Sequence, residues 1–194
     1  KANVRYIEGA NSVGVDLSDP YSQDDIVVTE LHIPKGKKIH FKMRSQDVLH
    51  SAYMPHFRAQ MNCVPGMVTE FAFVPTYTTS EYRELPFMIE KVANINALRA
   101  KKSIELVAKG QTALDPYTFD YLLLCNKICG ASHYNMQMKV IVDTPEDYQK
   151  WLSEQVALVD EIKAANEPAP VENAVGTDST KTNDTAAVAK IAMK

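Results

Sequence analysis

The chain has 194 residues, 45% of them hydrophobic and 23% charged, and its 21 Lys and Arg against 24 Asp and Glu leave a net charge of −3. With a mean hydropathy of −0.24 this is the composition of a globular domain, and the lack of a basic surplus argues against a nucleic-acid partner. No run approaches the roughly 18 to 20 consecutive apolar residues of a membrane-spanning helix; the densest are Phe71-Ala72-Phe73-Val74 and Tyr121-Leu122-Leu123-Leu124-Cys125.

The chain starts at Lys1 with no signal-peptide succession, which predicts a mature or shortened piece. Residues 1–25 form an acidic, loop-rich lead-in, with Asp16, Asp19, Asp24 and Asp25 beside turn chemistry at Asp19-Pro20 and Asp24-Asp25. A domain is expected over 26–143. Val27, Leu31 and Ile33 share one face, Pro34-Lys35-Gly36 turns the chain, and Ile39, Phe41 and Met43 alternate with His40, Lys42 and Arg44, which predicts a hairpin. Further strands are predicted at Val68 to Val74, Phe119 to Leu124 and Met136 to Val142. Short strands separated by turns favour an antiparallel sandwich or barrel.

Two segments break the period-two rhythm. Met88, Val92, Ile95 and Leu98 recur at steps of four, three and three, between Pro86 and Gly110, so a helical insertion is expected over about 80–110. Thr144-Pro145-Glu146-Asp147 combines a cap residue, a proline at the first helical position and an acid at the third. A C-terminal helix of three or more turns is expected over 144–166, with Tyr148, Trp151, Leu152 and Val156 along it. Beyond it, 167–194 is a low-complexity tail without aromatic residues, too poor in apolar surface to offset its ordering entropy, with Ala186 to Met193 as a segment that could grip a neighbour.

The chemistry is concentrated at Cys125-Asn126-Lys127-Ile128-Cys129-Gly130-Ala131-Ser132-His133-Tyr134-Asn135-Met136, a C-x3-C-x3-H-x2-M pattern at the junction of two predicted strands. Thiolate, thioether and imidazole donors suit copper, whereas Mg²⁺ and Ca²⁺ take hard oxygen ligands and Zn²⁺ does not ordinarily recruit methionine. A mononuclear blue-copper site uses one thiolate, so a second cysteine in the loop is surplus to it. Two thiolates can bridge two coppers, and a second histidine must then come from elsewhere. His32 and His40 fall on the polar faces of the predicted hairpin. His50, closing Ser45-Gln46-Asp47-Val48-Leu49-His50 just after a strand, is the candidate, and His56 its local competitor.

Asp47-Val48-Leu49-His50-Ser51, then Pro55, then Val64-Pro65-Gly66-Met67, then Cys125 to Met136, together resemble the copper A domain of cytochrome c oxidase subunit II, over about Asp25 to Leu152. The resemblance implies a mainly β, cupredoxin-like Greek-key barrel or sandwich, with the helical insertion and the C-terminal helix added, and two transmembrane helices upstream in the intact subunit. It makes Cys125 and Cys129 bridging thiolates; His50 and Met136 complete one copper, and His133 with the Lys127 carbonyl the other. Cys63 matches no ligand and reads as a small buried hydrophobe.

The function implied is an electron-accepting oxidase subunit. It takes electrons from a c-type cytochrome and passes them to haem in subunit I for O₂ reduction coupled to proton pumping, on the periplasmic face of a bacterial inner membrane rather than in a mitochondrion.

Three departures from the family pattern matter. Lys127 stands where the family has a Glu that helps hold Mg²⁺ at the contact with subunit I. That ion is therefore in doubt, and the ammonium supplies positive charge where it would sit. Asn62 replaces an Asp, leaving Asp16, Asp19, Asp24 and Asp25 as acids for docking a lysine-ringed cytochrome. The tryptophan-rich segment that receives the electron in the family is not in this stretch, whose only Trp is Trp151, so either it precedes Lys1 or the entry route differs. The copper A domain of nitrous oxide reductase and a structural zinc module on Cys125, Cys129 and His133 are the alternative readings.

Overall fold

The computed structural model describes residues 16–166. Most of the lead-in and the whole tail, including Ala186 to Met193, lie outside the described residues. The fold is mainly β, a cupredoxin-like sandwich of two sheets. The larger is built from β1 (Glu30–Pro34), β7 (Gln137–Asp143), β6 (Tyr121–Leu124), β3 (His50–Met54) and β4 (Ala59–Cys63), in that spatial order. The smaller pairs β2 (Ile39–Met43) with β5 (Thr69–Phe73). All pairings are antiparallel except β1 with β7, which runs parallel from Glu30 opposite Lys139 to Pro34 opposite Asp143.

The hairpin expected between residues 27 and 43 does not form, because β1 and β2 belong to different sheets. Pro34-Lys35-Gly36 carries the chain between layers: the Lys35 N–H donates to the Asp143 carbonyl (2.8 Å) and the Gly36 N–H to that of Pro75 (2.9 Å). Gly36 has φ +74°, a conformation that costs glycine nothing because it has no Cβ. Period-two alternation marks a strand but not its partner, and the partner of Glu30 lies more than a hundred residues away.

The core fills the space between the sheets. Ile33, Met54, Tyr121, Val140 and Val142 of the large sheet, all buried, meet half-buried Ile39, Phe41, Phe71 and Phe73 of the small one. The Phe41 ring stacks on those of Phe71 (centroids 5.0 Å apart) and Phe73 (5.5 Å). Each buried aliphatic or aromatic side chain contributes about 1.5–3 kcal/mol of transfer free energy.

The insertion closes one side of this core. Thr78 starts α1 (Thr79–Arg83) with a reciprocal cap: its hydroxyl accepts from the Glu81 N–H (3.1 Å) and its own N–H donates to Glu81 Oε2 (2.8 Å). The 23-residue α2 (Pro86–Ala108) follows, with proline in its first turn, and buries Met88 completely. Leu98 lies off this buried face and is 67% exposed; its neighbour Arg99 turns back instead, donating to the Asp115 carbonyl at 2.7 Å.

In place of one helix over 144–166 there are two, α3 (Pro145–Ser153) and α4 (Leu158–Asn166). Thr144 caps α3 as its sequence predicts, but nine residues make only about two and a half turns. The helix stops where side chains take its last carbonyls, Ser153 Oγ bonding Lys150 O (2.7 Å) and Gln155 Nε2 bonding Trp151 O (3.0 Å). Trp151 stacks on His32 at 4.4 Å. Leu158 and Ile162 of α4 then pack on Val27, and the Leu158 N–H donates to the Asp25 carbonyl (2.8 Å).

Candidate metal centre

Three strand ends, those of β6, β7 and β3, converge at one end of the large sheet. β6 pairs with β7 up to Leu124 opposite Gln137, which places Cys125 and Met136 side by side just beyond the ladder, the Cys125 N–H donating to the Met136 carbonyl at 3.1 Å. The loop between them turns at Gly130, φ +139°, and forms a single 3-10 turn at His133–Asn135. Tyr53 of β3 lies opposite Leu124, so continuing that antiparallel register brings His50 level with the loop.

The six donor residues predicted from sequence meet there. The sulfurs of Cys125 and Cys129 are 3.7 Å apart. His50 Nδ1 lies 3.9 Å from Cys125 Sγ, and the Lys127 carbonyl oxygen 3.3 Å from it. His133 Nδ1 lies 3.5 Å from Cys129 Sγ, and Met136 Sδ 3.3 Å. The donor atoms of His50, Cys125 and Cys129 all fall within 4.8 Å of one another. This soft, compact set fits copper and leaves Mg²⁺ or Ca²⁺ without hard oxygens.

Electrostatics prepares Cys125 to lose its proton. Burial opposes ionisation of Cys125, but backbone hydrogen bonds from Lys127 and Ser51, with bonds from His50 and Cys129, outweigh it and bring the thiol down to about 6. Burial and the neighbouring Cys125 push the Cys129 thiol up, so Cys125 takes the charge first. For His50, burial lowers the imidazole, yet its bond to Asp47 and the proximity of Cys125 raise it on balance. Asp47 Oδ1 bonds His50 Nε2 at 2.9 Å and so leaves Nδ1 facing the thiols, the orientation a metal-bound imidazole takes from an outer carboxylate.

His56, the competitor in the sequence, turns elsewhere. Its ring meets Phe119 edge-on at 4.8 Å and its Nδ1 is buried without a hydrogen-bond partner. His32 bonds Asp143 at 2.6 Å beneath Trp151. Cys63 is half-buried, not buried, opposite His50. Among the acids expected to dock a partner, Asp16 accepts from the Ser18 N–H and hydroxyl (2.9 and 2.6 Å) and Asp19 from the Tyr21 N–H (3.0 Å), so both brace their own loop. Asp24 is exposed and Asp25 half-buried.

The sequence pattern left the strands β3 and β4 unmarked and gave no role to Ser51 of β3 or Gln60 of β4, both of which bond Asn126 in the cysteine loop. Ser51, Ala52 and Met54 are all buried, so β3 carries no clean alternation; a short mixed run between the turn signals of Ser45-Gln46-Asp47 and Pro55 was the available signal.

A two-sheet sandwich with paired thiols and flanking imidazoles at the ends of its strands defines a cupredoxin-like domain with a donor group able to hold a metal ion. No family model matches the chain. Over 156 residues, 79% of the chain, it is 36% identical to the alternative cytochrome c oxidase subunit 2 of Bradyrhizobium diazoefficiens. It is also 29% identical over 138 residues, 71% of the chain, to the cytochrome c oxidase subunit 2 of Thermostichus vulcanus. The crystal structure of the periplasmic domain of subunit II of cytochrome oxidase of Bradyrhizobium japonicum covers 64% of the chain, which in turn covers 61% of it, at 17% identity and a TM-score of 0.42. The chain is thus a relative of cytochrome c oxidase subunit 2. It spans 42% and 30% of the lengths of the two curated relatives. Among the described residues no helix is long and apolar enough to cross a membrane.

Proposed function

We propose that this chain is the electron-accepting domain of a haem-copper oxidase, holding a binuclear copper A centre. The observation that carries the reading is the pair of sulfurs at 3.7 Å, with one imidazole Nδ1 on each flank. Cys125 and Cys129, with His50, His133, Met136 and the Lys127 carbonyl around them, would hold the two coppers. When bound, the copper pair supplies one-electron redox chemistry with little geometric change.

The residues of the chain do the rest. Backbone donors hold Cys125 as a thiolate, Asp47 fixes the His50 ring, and the β6–β7 ladder holds Cys125 against Met136. Ile128 (94% exposed) and Tyr134 (88%) stand out from the ligand loop and suit an apolar contact with an oxidase partner. A c-type cytochrome is the proposed donor and haem in subunit I the acceptor, for O₂ reduction coupled to proton pumping on the periplasmic face of a bacterial membrane. Asp16, Asp19, Asp24 and Asp25 are the proposed acids for steering that donor. Lys127 offers no carboxylate for Mg²⁺; its ammonium is proposed to supply the charge instead, and an ordered Mn²⁺ signal at the subunit contact would refute this.

The test is copper reconstitution of the full chain. Two coppers per chain, a purple colour and a seven-line EPR spectrum are expected, with the spectrum lost in Cys125→Ser. A colourless zinc-binding protein, or a Cys125→Ser variant that keeps seven lines, would overturn the assignment.

A further inference from the structure

We infer that Ser51 and Asn126 form a reciprocal latch that positions the cysteine loop against His50, making both positioning residues for the metal centre. Ser51 is only 5% exposed, and its hydroxyl makes two bonds to the same residue. It donates to Asn126 Oδ1 (2.5 Å) and accepts from the Asn126 N–H (2.9 Å). Gln60 of β4 adds a third contact, its Nε2 donating to the same Oδ1 at 3.3 Å.

The position of Asn126 gives the latch its leverage. It lies between Cys125, whose sulfur faces His50, and Lys127, whose carbonyl lies 3.3 Å from that sulfur. A change in the Asn126 backbone therefore moves two donor atoms together. On the other side, Ser51 directly follows His50 in β3, and successive strand residues point to opposite faces. Strand β3 thus holds the loop through consecutive side chains, His50 toward Cys125 and Ser51 toward Asn126. The Ser51 hydroxyl uses its donor and an acceptor site on one partner, which fixes distance and rotation at once. Neither residue is a ligand. Outer contacts of this kind typically change metal retention about 10–100-fold.

The inference rests on the copper A reading, and the experiment separates the two. The full chain, Ser51→Ala, Asn126→Ala, the double variant and Asn126→Asp are loaded with copper. Each is followed by EPR and by the rate of copper loss to a chelator, with circular dichroism as a folding control. The expected result is about tenfold faster copper loss with altered hyperfine splitting in each single variant, no further increase in the double variant, and recovery in Asn126→Asp, which keeps the oxygen acceptor. Should Ser51→Ala fail to fold, exposed Asn126 with its aspartate variant carries the test. Single variants that retain copper and spectrum like the parent, or effects that multiply in the double variant, overturn the latch. A parent chain without the two-copper signal overturns the copper A reading, and the positioning role with it.

Discussion

His50 and Cys63 are direct partners in the β3–β4 ladder, so the third thiol of the chain shares a sheet face with the imidazole that reaches Cys125. Burial raises the Cys63 thiol, and the charge of Cys125 adds to this, so the neutral form of Cys63 is favoured beside the proposed copper ligands. Cys63→Ala is expected to keep copper stoichiometry and EPR line shape unchanged and to lower unfolding stability by about 1 kcal/mol. Copper analysis and urea unfolding check both; a lost copper would make Cys63 a ligand.

The two loop cysteines should titrate apart in the metal-free protein. Cys125 is brought down to about 6, whereas Cys129 is held above its ordinary value. The thiolate is the nucleophile, so iodoacetamide should modify Cys125 half-maximally near pH 6, and Cys129 and Cys63 only above the ordinary thiol range. Mass mapping of the alkylated peptides reads this directly.

His56 gives the fold an acid weakness. Burial and the nearby Lys91 charge depress its imidazole, so below the ordinary value of 6.5 the unfolded chain binds a proton that the native chain resists. Stability therefore falls as pH drops from 6.5 toward the depressed value and levels off below it. His56→Phe, which sacrifices no hydrogen bond at the unpartnered Nδ1, should flatten this part of the curve. Urea midpoints at pH 7.5 and 5 for both proteins decide it, and equal losses would exclude His56 as the cause.

Helix α2 is bound to the sandwich by more than its apolar face. Asn96 Nδ2 donates to the Tyr117 carbonyl (3.1 Å) and Asn96 Oδ1 accepts from the Tyr117 N–H (2.7 Å). Asn96→Ala leaves both half-buried backbone groups unpaired, which should cost about 2 kcal/mol and raise amide exchange at Tyr117.

Much of the candidate site was legible because its chemistry is local. Cys125, Lys127, Cys129, His133 and Met136 lie within twelve consecutive residues, and soft donors at that spacing have few uses. His50 was within reach only through the residues flanking it, since nothing local states that β3 will lie opposite β6. The same limit accounts for the missed partners: the alternation of β1 and β2 identified two strands, but the choice of β7 and β5 as neighbours is made by the core that Ile33, Phe41 and Val140 fill together. The broken C-terminal helix turned on side chains competing for carbonyls at Lys150 and Trp151, which a capping signal at Thr144 does not report.

The parallel seat of β1 against β7 also protects the molecule from itself. β7 alternates buried Met138, Val140 and Val142 with outward residues over seven positions, and β1 covers its outer side. A shortened form beginning after Pro34 would bare that row of N–H and C=O groups as a template for a second molecule. β1 becomes the edge in its place, but it is shorter than β7 and ends in Pro34, features that blunt an edge, and any trimmed version has to start ahead of Glu30.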